Sequence, residues 1–195
     1  ANIDCHFIQI GSSEVYGSVN APVNEQALTN PTSPYSVSKL AFDQHLVAMH
    51  KVKGLPMNII RPSNCIVEGQ QLHRIVPKSL ISGLTRRKIP LHGGGVAKKS
   101  YLHATDLSRA VMTVIKNGGM GEIYNVGPDK PTAIKDVVRM CLIATGGSWD
   151  ELVEVSPERT GQDACYWLDS SKIKALGWKQ EISLPDGIQL VLDWI

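Results

Sequence analysis

The chain is short of cysteine, has no long apolar run and carries no strong excess of either charge. Each of these narrows what it can be. Its 195 residues include four cysteines, Cys5, Cys65, Cys141 and Cys165. None forms a CxxC pair, and their spacing matches no zinc pattern, so no metal site is expected. They read as reduced thiols of a cytoplasmic protein rather than a disulfide framework. Lys and Arg total 20 against 18 Asp and Glu, a net charge of +2. That balance argues for no nucleic-acid partner. The basic runs Arg86-Arg87-Lys88 and Lys98-Lys99 read as solvated faces. No apolar stretch approaches the roughly 20 residues that span a bilayer, so no membrane association is expected. The opening ANIDCHFIQI lacks the basic start and apolar core of a signal peptide. Hydrophobic residues make up 43% and charged residues 19%, the composition of a folded domain.

Apolar runs alternate with helical patterns along the chain. CHFIQIG (5–11) reads as a buried strand closed by Gly11. Residues 17–34 are rich in Pro, Asn, Ser and Thr and read as a loop. Ser33 followed by Pro34 is a helix start, and Gly54 a stop, which predicts a helix over 35–50. LPMNIIRPSN (55–64) predicts a second buried strand ending in Pro62. Helices are expected over 75–84, 106–117, 133–147 and from Pro185 to the terminus. KIPLHGGG (88–95) is expected to be a short strand and a turn, and further strands are expected at 122–127, 151–156 and 164–168. This alternation predicts an α/β fold in which 5–11, 57–61 and 122–126 are neighbours in one mainly parallel sheet.

Tyr35 and Lys39 lie four apart near the start of one helix, which puts them on one face. An ammonium beside a phenol favours the phenolate, so the tyrosine can act as a general base near neutral pH. The spacing alone is also that of an ordinary surface pair. Gly11-Ser12-Ser13-Glu14-Val15-Tyr16-Gly17 follows directly on a strand. It sets two hydroxyls and a carboxylate at the strand's C-terminal end, where open α/β sheets bind ligands.

In this order, SSEVYG (12–17), YSVSK (35–39) and RPSN (61–64) resemble the extended short-chain dehydrogenases that act on nucleotide sugars, the NAD-dependent epimerase/dehydratase family. IPLHGGG (89–95), KKSYLHATD (98–106), GEIYNVG (121–127) and RTGQDACYWLDSSKIKALGW (159–178) are similar to the C-terminal two thirds of dTDP-glucose 4,6-dehydratases. The resemblance implies a partial Rossmann unit over 1–66, with a mainly sugar-nucleotide-binding region over 67–195 of which 101–127 returns to the Rossmann sheet. No glycine fingerprint for a dinucleotide is present. The chain therefore reads as a family member beginning at the fifth strand, without the pyrophosphate half of the NAD site.

The resemblance also implies residue roles. Tyr35, helped by Lys39, takes the proton of the sugar 4-hydroxyl during oxidation at C4, and Ser12 hydrogen-bonds that oxygen. Glu14 removes the C5 proton, and Ser13 stands beside it in the catalytic set. Tyr35, Lys39 and Pro62 border the NAD. Asn64, Lys99, Asn125, Arg159 and Gln162 hold the nucleotide-diphosphate sugar. His92 borders the nucleotide base, and His103 occupies a position that is often aromatic. A homodimer of the full-length protein is implied as well.

Three positions depart from the pattern. Ser13 replaces the aspartate that protonates the leaving hydroxyl in dTDP-glucose enzymes, and a serine is too weak an acid for that step. Ser-Glu is the pair found in GDP-mannose 4,6-dehydratases and UDP-glucuronate decarboxylases. Lys99 replaces an arginine and loses the bidentate grip. Cys65-Ile66-Val67-Glu68 stands where Tyr-Gly-Pro is usual after Asn64. The expected activity is a nucleotide-sugar 4,6-dehydratase. The alternatives are a 4-epimerase, a decarboxylase or an inactive sugar-nucleotide-binding fragment.

Overall fold

The computed structural model describes residues 5–158 and 163–195. In chain order the elements are β1 (Phe7–Ile10), a 3₁₀ turn (Ser13–Tyr16), α1 (Pro34–Lys53), β2 (Met57–Pro62), β3 (Asn64–Ile66) and α2 (Ile75–Thr85). Then follow β4 (Ile89–His92), β5 (Lys98–Lys99), β6 (Tyr101–His103), α3 (Ala104–Asn117), β7 (Ile123–Val126) and β8 (Thr132–Ala133). The chain ends with α4 (Ile134–Ala144), α5 (Trp149–Leu152), β9 (Val153–Ser156), α6 (Ser171–Lys174) and α7 (Leu184–Trp194).

The central sheet has the order β1-β2-β7 and is parallel throughout, as the apolar runs predict. Helix α1 makes the crossover between its first two strands. Its start is a capping box: Ser33 Oγ accepts from Ser36 N at 3.1 Å, and Ser36 Oγ accepts from Ser33 N at 3.0 Å. Gly54 ends it in the left-handed conformation, donating to the His50 carbonyl. Alternate β2 side chains serve opposite faces, as the pleat demands. Ile59 packs with Met57 and Leu46 of α1, while Ile60 joins Leu102, Ala110 and Val114 on the α3 side.

A second body forms where β3 pairs with β6 and α2, α4 and α7 close over them. Ile66, Val76, Leu80, Val137, Ile188 and Val191 make its core. Beside it, β4 pairs in parallel with β9.

Three expectations need correction. β1 is not buried: Phe7 and Ile10 are each 38% exposed. Among the described residues β1 pairs only with β2, so its outer edge is uncovered. Residues 164–168 form no ladder strand, only isolated bridges at Cys165 and Leu168. This extended segment divides its backbone bonds between Val19 and Val23 on one side and Lys98 on the other, and neither partner is long enough to build a ladder. Residues 149–152 make a helical turn, so the strand expected over 151–156 starts at Val153.

Candidate active site

Open parallel sheets expose their ligand-binding edge at the strand C-termini. Here β1 runs out at Ile10 and β2 at Pro62, and both ends face a cavity of about 970 Å³. Ser12, Ser13 and Glu14 enter it from the 3₁₀ turn, Tyr35 and Lys39 from α1, and Pro62 and Asn64 from the end of β2. Lys99 reaches it from β5. Eight of the positions picked out from the sequence thus meet in one space.

Local geometry explains how each is held. Ser12 caps the 3₁₀ turn, its Oγ accepting from Glu14 N at 3.1 Å, which sets the direction in which Glu14 leaves the backbone. Lys39 Nζ donates to the Ile10 carbonyl at 3.0 Å and lies 5.9 Å from the centre of the Tyr35 ring. The helix is thereby pinned to the end of β1 with the phenol half exposed above it.

Glu14 is partly buried, and the loss of hydration pushes its carboxyl above the usual range. The Lys99 and Arg74 cations oppose this rise, and the Asp163 carboxylate adds to it. Burial lowers the pKa of Lys99 in turn, while Asp163 and Glu14 support its charge. Its ammonium donates to the Asp163 carbonyl at 3.0 Å and sits 3.5 Å from the Tyr166 ring centre. Asp163 is braced by Thr32 Oγ1 and Tyr166 Oη, both donating to Oδ2 at 2.7 Å.

Asn125 does not belong to this cavity. It is fully buried: its Oδ1 accepts from Tyr16 Oη at 2.9 Å and its Nδ2 donates to the Val23 carbonyl at 3.0 Å. Both ends of the amide are committed inside the fold, so it braces the site instead of lining it. Arg159 and Gln162 lie outside the described residues.

The bracing continues beneath the floor. Arg61 Nε donates to Asp43 Oδ2 at 2.9 Å and Nη1 donates to Tyr16 Oη at 2.8 Å. One guanidinium thus joins α1, one turn beyond Lys39, to the turn that carries Glu14. Gly11 lies over this pair, where a Cβ would stand 3.2 Å from Asp43 Oδ1 and 3.3 Å from Arg61 Cγ.

The sequence reading missed His73, Arg74 and Lys78, which all line the cavity. They surround the start of α2, whose N-cap, Arg74, makes no side-chain cap and whose first turn holds no acid. The visible signal was HRIVPK (73–78), basic residues at a helix start. Four cations, Lys39, Arg74, Lys78 and Lys99, then face the single carboxylate of Glu14 among the described lining residues. Bare helix N–H groups with cations around them make an anion-binding wall. His92 lines the same space, its Nδ1 near Pro157 O at 3.1 Å and Ser156 Oγ at 3.0 Å. Among the described residues no three His, Cys, Asp or Glu side chains gather into a metal-holding group. No helix among them is long and apolar enough to cross a membrane.

The family model for GDP-mannose 4,6 dehydratase matches residues 1–191. The chain belongs to this family. It is 32% identical over 190 residues to a dTDP-glucose 4,6-dehydratase of Streptomyces griseus, covering 96% of this chain and 58% of that protein. It is 31% identical over 194 residues to the human dTDP-D-glucose 4,6-dehydratase, covering 96% of this chain and 55% of that one. The fold superposes with a TM-score of 0.91 on DesIV, the dTDP-glucose 4,6-dehydratase of Streptomyces venezuelae, crystallised with NAD and TYD bound. The identity there is 29%, over 96% of this chain and 58% of that chain. The chain therefore spans a little over half the length of these relatives.

Proposed function

We propose that the protein carrying this chain is an NAD-dependent nucleotide-sugar 4,6-dehydratase, with this chain supplying its catalytic side chains and its sugar-nucleotide wall. The observation that carries the reading is the meeting of Ser12, Glu14, Tyr35 and Lys39 in one cavity whose other wall is cationic. A nucleoside diphosphate is the anion such a wall suits, and the remaining space suits its sugar. A cytoplasmic location belongs to the same reading, because the spacing of the four cysteines matches no disulfide framework. The homodimer of the full-length protein belongs to the same reading, with α1 exposing Val37 and Phe42 outward.

The described residues fit one end of NAD. Tyr35 is half exposed and Lys39 spends one of its three N–H bonds on Ile10, so phenol and ammonium can both hold ribose hydroxyls, with Pro62 alongside. NAD bound at that point would supply hydride chemistry, taking the hydride from C4 and giving it back at C6 once water has left, with a solvent proton completing C5, so that the cofactor ends unchanged. Tyr35 accepts the proton of the sugar 4-hydroxyl as C4 is oxidised, and Ser12 holds the same oxygen. The 4-ketone acidifies the C5–H, and Glu14 takes that proton. Glu14 is then a carboxylic acid, and it is the only carboxyl lining the cavity among the described residues. It returns the proton to the departing C6 hydroxyl, the step that Ser13 is too weakly acidic to perform. The raised pKa of Glu14 suits both halves of this cycle.

The test uses the full-length protein, NAD and a panel of nucleoside diphosphate hexoses, with products read by mass and NMR. Loss of water and a 4-keto-6-deoxy product are expected. Tyr35→Phe should slow oxidation by ~10²–10⁴-fold, and Glu14→Gln should stop the reaction after C4 oxidation. A product that keeps its 6-hydroxyl and inverts C4 would establish a 4-epimerase instead.

A further inference from the structure

The cationic wall depends on a segment with few attachments. After β3 the chain leaves the ladder at Ile66 and runs to α2, carrying Gln70, His73 and Arg74 into the cavity. Gln70 Nε2 donates to the Cys65 carbonyl at 2.8 Å, which ties the segment only to the strand it comes from. Glu68 reaches further, its Oε2 lying 3.1 Å from His103 Nε2 at the end of β6. Among the described residues this is the one hydrogen bond that joins 67–73 to an element elsewhere in the chain.

His103 is a fixed anchor. It is 3% exposed, and its Nδ1 accepts from Thr105 N at 3.2 Å as the N-cap of α3. With Nδ1 an acceptor, the ring proton sits on Nε2 and is donated to Glu68. Helix α7 closes over this point through Gly187, where a Cβ would stand 2.7 Å from Ile66 Cδ1 and 3.4 Å from His103 Cδ2. The ring cannot swing away, so the position of Glu68 is set by β6 and α3.

We propose that Glu68 is a positioning residue: its hydrogen bond to His103 latches residues 67–74 and so holds His73 and Arg74 where they grip an anionic ligand. This rests on the functional reading above for the ligand, a nucleoside diphosphate, but not for the latch. The departure after Asn64 thus places an acid, Glu68, opposite the imidazole of His103.

The experiment is hydrogen exchange of the full-length protein, with calorimetric titration of UDP, GDP and dTDP as probes. Glu68→Ala should speed exchange over 67–74 by about fivefold, the upper range for a partly exposed pair, and leave the rest of the protein unchanged. It should weaken the tightest of the three nucleotides by a similar factor with kcat little changed. Glu68→Gln keeps an acceptor for Nε2–H and should restore both. Unchanged exchange in Glu68→Ala, a Gln variant as loose as the Ala one, or loosening without loss of affinity each overturn the proposal. If the unaltered protein binds none of the three nucleotides, the functional reading fails, and the exchange data alone decide whether Glu68 holds the loop.

Discussion

Removing the Asp43 carboxylate should cost the protein about a fifth of its stability or more. Arg61 is 2% exposed and Asp43 fully buried, so neither charge reaches water. Asp43→Ala leaves the guanidinium with its Nε donor unmet, while Nη1 keeps Tyr16 Oη. Breaking a buried pair from one side costs about 3–5 kcal/mol, against a total of about 5–15 kcal/mol for a typical protein. Asp43→Asn keeps an acceptor at the same place and should cost about 1–3 kcal/mol. Burial already pushes the Asp43 carboxyl up against the pull of Arg61, and among the described residues its Oδ1 has no hydrogen-bond partner, so part of the aspartate's charge is poorly used. The double change Asp43→Leu/Arg61→Met should therefore recover much of the loss, since it removes both charges and fills the space. Urea denaturation followed by circular dichroism measures all three. A loss below about 1 kcal/mol for Asp43→Ala would refute the argument, because it would mean that water reaches the guanidinium.

Two further expectations concern Glu14. Its folded pKa is raised by burial, so it contributes stability only below the ordinary carboxylate pKa and loses it as pH rises through the folded value. Glu14→Gln should then raise the melting temperature at neutral pH, with the gain vanishing below about pH 4; a lower melting temperature at pH 7 would contradict this. Lys99 opposes the rise, so Lys99→Met should move the acid limb of the kcat/KM profile of the full-length protein to higher pH, whereas a limb that stays put or moves down would separate Lys99 from Glu14.

Much of the framework follows from local chemistry alone. Ser33, Pro34 and Gly54 bound α1 because a cap oxygen, a preset φ and a glycine that accepts the left-handed conformation act within a few residues. The parallel order of β1, β2 and β7 follows from apolar runs separated by helical crossovers. The shared face of Tyr35 and Lys39 follows from helical pitch. Other properties depended on partners distant along the chain. Asn125 looks like a ligand-holding amide in GEIYNVG, yet Tyr16 and Val23, about a hundred residues earlier, take up both its ends. HRIVPK showed its charges but not the direction they face, which the pairing of β3 with β6 sets. Glu68 and His103, 35 residues apart, become partners only when those strands align. The rise in the Glu14 pKa likewise needs the water-excluding walls and the opposed charges of Lys99, Arg74 and Asp163. Capping, pitch and hydrophobic period act over a few residues and were therefore written in the sequence; burial, charge coupling and hydrogen bonds across the fold exist only once distant segments meet.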